Sequence, residues 1–321
     1  MPRIPDRGYF DRISAEMGFS AWPLEKLYRI MEILYEVNIG ELNEYLALRG
    51  GTAINLCYTQ LPRLSIDIDF VLTRDGDRNN MMRDRAVVRR RIMGILESGG
   101  YETDPHLDDY ALDRFEAKYK SIFGSADRLK VEINYISSRI PIYPPTDAKP
   151  LNVFGTSLER VRTLSTHEIY GSKIEALIKR HAPRDLFDVN MLVKGFGHRI
   201  DVSKLRKCTI FSCCVEIPWD FRADLAHNPA DIISEKDVRD DLRPYLTGDR
   251  GFDLSEAKKT VGDFCSKLFK LGSEESEFLR ALFEDGKCLI DLLFPSAGHL
   301  RDHPGMKWRL QQLSGRSYSD G

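Results

Sequence analysis

The feature that most constrains this chain is a six-residue segment, residues 65–70, in which acidic and apolar side chains alternate. Side chains of a strand point to opposite faces in turn, so Asp67 and Asp69 share one face. The other face carries the apolar residues Ile66, Ile68 and Phe70. Two carboxylates this close repel each other, and both stay ionised when a cation lies between them. Mg²⁺ suits such a pair, because one or two carboxylates plus substrate phosphates usually hold it. The alternative is an edge strand with a solvated acidic face.

A glycine-rich turn precedes this segment. Residues 45–49 are typical of a short strand, Gly50 and Gly51 of a turn, and residues 53–58 of the start of a helix. Backbone N–H groups at such a turn can approach an anion, helped by the helix dipole, and the Thr52 hydroxyl adds a donor. A Gly-Gly pair alone usually marks only a turn. Followed by a helix and the acidic strand, it predicts a phosphate site beside a metal site, which is the equipment of phosphoryl or nucleotidyl transfer.

These two segments resemble the nucleotidyltransferase signature, Gly-Gly/Ser followed by Asp-x-Asp. The longer stretches 48–56 and 63–70 look like the AbiEii abortive-infection toxin family. The resemblance implies a catalytic Mg²⁺, with Mn²⁺ as a substitute, held by Asp67 and Asp69. It also implies a nucleotide-binding set made of Gly50, Gly51, Thr52, Arg63 and Ser65.

A second block of resemblance lies about a hundred residues further on. Ser165 and Glu168 form a capping box that predicts a helix, and Lys173 flanks the apolar stripe of that helix. Pro183 opens another helix, on which Asp185 and Asp188 share a face. The stretches 173–177 and 184–188 look like motifs of AbiEii-type toxins, in which the lysine binds nucleotide phosphates and the acidic residue supports catalysis. This assigns those roles to Lys173 and Asp188; otherwise Lys173 is a lysine that extends to solvent.

A third carboxylate completes the metal site in nucleotidyltransferases. The predicted strand 128–136 presents Lys130, Glu132 and Asn134 on one side, and we take Glu132 as the candidate. Alternation alone does not tell which face looks at Asp67, so an ordinary exposed glutamate is the alternative. Asp188 is the other acid that could complete the site.

A predicted helix over residues 83–99 carries the densest basic cluster of the chain. Such a run is usually a solvated surface, or else it contacts RNA or nucleotide phosphates. Since the net charge is −2, attraction to nucleic acid has to come from a local patch of this kind. The cluster consists of Arg83, Arg85, Arg89, Arg90 and Arg91.

The 321 residues are enough for one large domain or two small ones. We predict an α/β (α+β) protein, with a nucleotidyltransferase core of mixed sheet and flanking helices at 1–195 and a mostly helical region at 196–321. In that region the patterns predict helices over 235–246, 255–269 (capped by Ser255) and 274–283. Six cysteines without Cys-x-x-Cys spacing, and no apolar run of membrane length, favour a reduced cytoplasmic protein without membrane contact.

The resemblance implies an enzyme that adds nucleotides from an NTP to the 3′ end of tRNA, as the toxin of a toxin–antitoxin or abortive-infection pair. We therefore expect a monomer with an NTP substrate, a tRNA acceptor and a cognate antitoxin. Two alternatives stay open: transfer to a protein hydroxyl, and a nucleotide- or RNA-binding module without turnover.

Overall fold

The computed structural model describes residues 4–74, 78–106, 111–136, 140–196, 200–247 and 251–316. Its strands form one seven-stranded sheet in the order β3-β4-β5-β2-β1-β7-β6. The pairs β2–β5 and β1–β7 are parallel and the others antiparallel, so the sheet is mixed, and the predicted α/β class is confirmed. The strands are β1 Leu46–Arg49, β2 Asp67–Leu72, β3 Glu102–His106, β4 Leu112–Lys120, β5 Ala126–Asn134, β6 Thr146–Ala148 and β7 Val161–Thr163.

The helices precede, interrupt and follow the sheet. They are α1 Arg7–Met17, α2 Ala21–Ile39, α3 Gly50–Ala53, α4 Arg78–Ser98, α5 Thr166–Arg180, α6 Pro183–Phe196, α7 Val202–Glu216, α8 Glu235–Asp241, α9 Leu254–Leu268, α10 Ser273–Phe283 and α11 Pro304–Arg316. None of the helices in the described ranges is both long and apolar enough to cross a membrane.

The chain divides into two compact units. The first comprises Met1–Arg139, Pro144–Leu164 and Leu242–Gly251, and holds the whole sheet with α1 to α4. The second comprises Ile140–Tyr143, Ser165–Asp241 and Phe252–Gly321, and holds α5 to α11. The predicted division into a core domain at 1–195 and a helical domain at 196–321 stays a prediction.

Strands β4 and β5 of the sheet have one apolar face, against which α2 and α4 lie. Residues of β4 and β5 alternate between buried and half-exposed, as expected for strands with one face in the core. From α2, Lys26 contacts Asp127 on β5, with the ammonium 2.8 Å from the carboxylate. From α4, the Arg85 guanidinium lies 2.6 Å from the buried carboxylate of Asp113 on β4. The opposite face of these strands is therefore the polar one.

Two helix limits differ from the sequence prediction for local reasons. The helix predicted over 235–246 ends at Asp241, ahead of a single 3₁₀ turn that contains Pro244, because proline lacks the N–H that an α-helix needs. The N-cap of α9 is Asp253 rather than Ser255, since the Asp253 carboxylate accepts the N–H of Glu256 at 2.9 Å.

Candidate functional site

The glycine turn at the end of β1 is shaped by the side chains packed against it. Gly50 has φ +72°, a left-handed conformation, and a Cβ added to it would overlap the Asp69 carboxylate. A Cβ on Gly51 would lie 2.8 Å from a terminal nitrogen of Arg63 and 2.8 Å from the hydroxyl of Ser65. The structure therefore brings Gly50, Gly51, Arg63, Ser65 and Asp69 together. The left-handed backbone at Gly50 favours glycine, and at Gly51 a side chain would displace Arg63 or Ser65.

The chain after the turn is tied to the acidic strand. Thr52 is buried, and its hydroxyl donates to the backbone carbonyl of Asp67 at 2.5 Å. The amide of Asn55 donates to the Gly51 carbonyl at 2.8 Å. Helix α3 then continues as a π-helical turn, Ile54–Tyr58. The sequence predicted Thr52 as a donor to phosphate; the structure directs its hydroxyl at the strand that carries the aspartates.

The acidic face of β2 is half-exposed, as predicted from the alternation. Asp67 and Asp69 lie on it, while Ile68 and Phe70 are in the core. In the parallel pairing of β2 with β5, Asp69 lies directly beside Glu132 and Asp67 beside Lys130. Registered neighbours point to the same side of a sheet, so Glu132 shares the face of both aspartates. The sequence left this orientation open.

Two basic side chains hold Glu132. The Lys130 ammonium lies 2.8 Å from its carboxylate, and the Arg114 guanidinium on β4 donates to the same oxygen at 2.7 Å. Burial alone would raise the pKa of Glu132, but the bonds from Lys130 and Arg114 outweigh it and lower the pKa below its usual value. Glu132 is therefore a carboxylate that stays ionised beside Asp69.

Asp67 and Asp69 suit a divalent cation whose remaining oxygen ligands come from the substrate and water. Within the described residues no three His, Cys, Asp or Glu side chains are grouped closely enough to hold a metal by themselves. Mg²⁺ needs only one or two carboxylates when phosphates and water supply its other oxygens. The glycine at position 50 lets the Asp69 carboxylate lie directly against the backbone of the turn, so the proposed phosphate-binding backbone and the proposed metal ligand are neighbours.

A second charged cluster lies in the second unit, where α5 meets α6. The Lys173 ammonium lies 2.8 Å from Asp185 and 3.3 Å from Asp188, and both carboxylates are almost fully buried. Arg180 adds two bonds to Asp185, at 2.6 and 2.9 Å. Burial alone would raise the pKa of Asp185, but Lys173 and Arg180 outweigh it and lower the pKa well below its usual value. Lys173 is thus placed between two acids.

The arginine cluster of α4 is not a continuous basic surface. Arg85 is buried and Arg89 half-buried, and both pair with the Asp113 carboxylate, Arg89 at 2.7 Å. Arg91 pairs with Glu41. Arg83 and Arg90 are exposed. The amphipathic pattern of the helix turns Arg85 and Arg89 towards the sheet, where a buried aspartate on a neighbouring strand needs a counter-charge.

Reading motifs alone gave no role to Arg114 or Arg180. Lys130 was placed on the same strand face as Glu132, two residues away, but its ion pair with Glu132 was not predicted. Arg114 required the pairing of β4 with β5, which places it beside Glu132. Arg180 required the close approach of the end of α5 to the start of α6.

Comparison with known proteins gives one family model and several solved structures, including the following two. The family model of the nucleotidyl transferase AbiEii toxin of type IV toxin–antitoxin systems matches residues 32–256, more than half of the chain. MenT4, a nucleotidyltransferase toxin from Mycobacterium tuberculosis H37Rv, is 15% identical with a TM-score of 0.62, over 96% of this chain and 99% of MenT4. An antigenic nucleotidyltransferase-like protein from Paracoccidioides brasiliensis is 18% identical with a TM-score of 0.34, over 50% of this chain and 72% of its own. No curated protein matches by sequence.

Proposed function

Because this chain belongs to the AbiEii nucleotidyl transferase toxin family of type IV toxin–antitoxin systems, we propose that it transfers a nucleotide from an NTP to the 3′ end of tRNA with the help of Mg²⁺. The family makes it a nucleotidyltransferase and a toxin, and implies an NTP substrate and an antitoxin partner. The observation that carries the proposal is the pair Asp67 and Asp69 on one half-exposed sheet face, with Asp69 packed against the left-handed Gly50 of the turn.

The proposal gives Asp67 and Asp69 the metal, Mg²⁺ or in its place Mn²⁺. When bound, such an ion neutralises phosphate charge and orients the triphosphate. The N–H groups around Gly50 and Gly51 are the proposed contacts of the phosphates, and Arg63 and Ser65 line the same turn. Thr52 acts by bracing the Asp67 backbone. Such positioning of the substrate supplies much of the catalysis of phosphoryl transfer.

The proposed reaction is a displacement at the α-phosphate of the NTP. The 3′ hydroxyl oxygen of the acceptor forms a new bond to that phosphorus, while the bond to the pyrophosphate oxygen breaks and pyrophosphate leaves. The hydroxyl proton passes to a carboxylate that is ionised at neutral pH. Glu132 suits this role by its position, because the register places it beside Asp69; its lowered pKa keeps it ionised but makes it a weak base, so the proton passes on to water. That register supports Glu132 over Asp188 as the third acid of the site.

Lys173 is proposed as a further phosphate contact, in line with the family motif. Asp185 and Asp188 fix the position of its ammonium, and the lysine is only 7% exposed. Asp188 supports catalysis in this scheme by holding Lys173. The proposal includes a monomeric, cytoplasmic protein, and the cysteine usage supports the reducing compartment.

The test is incubation of the full chain with each α-labelled NTP, total tRNA, a protein extract and Mg²⁺, followed by separation of RNA from protein. We expect label at tRNA 3′ ends and pyrophosphate released in equal amount. The matched control is Asp67→Asn, which keeps the size of the side chain and removes its charge. Label on protein would contradict the tRNA acceptor, and no label in either fraction would favour a binding module without turnover.

A further inference from the structure

We propose that Asn55 is a positioning residue that fixes the glycine turn for the phosphates of the NTP. This inference rests on the proposed function, and it names the side chain that keeps the nucleotide site in shape. Asn55 follows the turn, on the π-helical segment Ile54–Tyr58, and it is almost fully buried. A buried amide is kept in place by its hydrogen bonds, so the partners of Asn55 indicate what it does.

The first contact of Asn55 sets the orientation of one peptide group in the turn. The Asn55 amide donates to the Gly51 carbonyl, four residues earlier, at 2.8 Å. A trans peptide is planar with its C=O and N–H on opposite sides, so a held Gly51 carbonyl also fixes the direction of the Thr52 N–H. The N–H groups in the first turn of a helix point back towards its start, which is where the phosphates are proposed to lie. The Asn55 bond therefore aims a donor of the site.

The second contact of Asn55 anchors a strained loop, residues 59–63. The Leu61 N–H donates to the Asn55 backbone carbonyl at 2.7 Å. Gln60 and Leu61 have φ +55° and +58°, so two consecutive residues with side chains adopt the left-handed conformation. This conformation is uncommon outside glycine, and it persists where the surrounding contacts impose it. Leu61 is buried, so its packing and its bond to Asn55 together hold the loop.

The loop brings Arg63 to the turn. Arg63 is 3% exposed, and a Cβ on Gly51 would lie 2.8 Å from one of its terminal nitrogens. The Leu64 N–H donates to the Tyr245 carbonyl at 2.8 Å, which fixes the far end of the loop. Asn55 thus contacts both parts of the nucleotide site, the turn through its side chain and the loop through its backbone. Backbone strain held in this way beside a site is typical of a preorganised binding site.

The experiment changes the donor at Asn55 and leaves the other residues of the site in place. Asn55→Ala removes the amide. Asn55→Ser has nearly the volume of the alanine variant but can restore the bond, because a serine hydroxyl in a helix donates to the carbonyl four residues earlier, as Thr209 does to Leu205 at 2.9 Å. Asn38→Ala is the matched control, since the Asn38 amide donates to the Leu34 carbonyl, also four residues earlier, at 2.7 Å on α2.

Calorimetry of the full-length variants with Mg²⁺ and each of ATP, CTP, GTP and UTP gives the Kd. If Asn55 positions the turn, Asn55→Ala raises the Kd and the KM for NTP by about tenfold, close to the factor that one hydrogen bond is worth, while kcat changes less. Asn55→Ser stays within about threefold of the wild type, because its hydroxyl replaces the donor. Asn38→Ala keeps the wild-type Kd, and thermal unfolding shows that it loses stability as Asn55→Ala does.

Hydrogen exchange of the wild type, followed by NMR, covers the case in which Asn55→Ala does not fold. The Leu61 amide exchanges with solvent only when its bond to the Asn55 carbonyl opens, and an NTP that requires the intact loop suppresses that opening. At about ten times the Kd of the NTP, we expect exchange at Leu61 to be slowed by about tenfold.

Three results would overturn the role of Asn55: wild-type NTP affinity in folded Asn55→Ala, equal losses of affinity in Asn55→Ala and Asn55→Ser, or exchange at Leu61 that bound NTP does not slow. A wild type that binds none of the NTPs refutes the proposed function, and this inference with it. If the wild type binds NTP and labels tRNA, any of the three results refutes the role of Asn55 alone.

Discussion

Replacing Gly50 by alanine separates the fold of the turn from its chemistry. At φ +72° an L-residue pays about 1–2 kcal/mol of backbone strain. The new Cβ also meets Asp69, because it would lie 3.2 Å from the Asp69 Cβ and overlap the carboxylate oxygen. Restoring a normal contact of about 3.5 Å requires the carboxylate to move by about 1 Å.

A displacement of that size at a reacting group can cost about 100-fold in rate. We therefore expect Gly50→Ala to lower metal-dependent transfer of α-labelled NTP into tRNA by about 100-fold, with a fall of a few degrees in the unfolding temperature. Rates under saturating NTP and tRNA, together with thermal unfolding, measure the two effects.

Gly100→Ala is the matched control. Gly100 has φ +76°, nearly the same backbone strain, and nothing lies within 4 Å of the Cβ that would be added. It should lose similar stability and keep its activity. If Gly50→Ala retains wild-type transfer, or if both variants lose activity to the same extent, the argument that Asp69 and the turn form one site is wrong.

Three further predictions concern single side chains. Thr52→Val removes the hydrogen bond to the Asp67 carbonyl, so it should lower the free energy of unfolding by about 1 kcal/mol and slow nucleotide transfer. The NTP affinity measured by calorimetry should stay within about twofold of the wild type. A large loss of NTP affinity would make Thr52 a phosphate contact instead. Lys173→Ala removes a cation from the buried Asp185 and Asp188 and leaves Arg180 as the partner of Asp185, so urea unfolding should show a loss of about 3 kcal/mol at neutral pH. Because Lys173 lowers the pKa of Asp185, this loss should shrink as the pH falls towards the folded pKa of Asp185, and a loss independent of pH would refute the pairing. Burial would raise the pKa of Asp113, but Arg89 and Arg85 outweigh it and lower that pKa, so the stabilisation by Asp113 is complete above its unfolded pKa of about 3.9 and declines as the pH falls towards the folded value. Asp113→Asn should therefore be less stable than the wild type at neutral pH and lose less stability on acidification. Parallel curves of unfolding free energy against pH for the two proteins would argue against the pairing.

Much of the site could be predicted from the sequence because its parts are local. The alternation of residues 65–70 determines which side chains share a face, and the glycine pair marks a turn whatever the rest of the chain does. The capping box at Ser165 and the proline at Pro183 located the starts of α5 and α6 correctly. The family motif did not indicate which acidic side chains Lys173 would contact.

The remainder depends on pairing between distant segments. Nothing in residues 126–134 says which strand will lie beside them, so the neighbourhood of Glu132, Asp69 and Arg114 appears only with the register. The use of Arg85 and Arg89 depends in the same way on Asp113, 24 to 28 residues away in the chain. Basic residues on a helix look alike in sequence, whether they face a buried acid or solvent.

The most direct test of the central claim is single-turnover transfer from α-labelled NTP to tRNA 3′ ends by wild type and Asp69→Asn, titrated with Mg²⁺. The wild type should require Mg²⁺ and saturate with it, and Asp69→Asn should give no measurable product at any Mg²⁺ concentration while unfolding near the wild-type temperature. Product formed by folded Asp69→Asn at the wild-type rate, or by the wild type in excess chelator, would contradict the account.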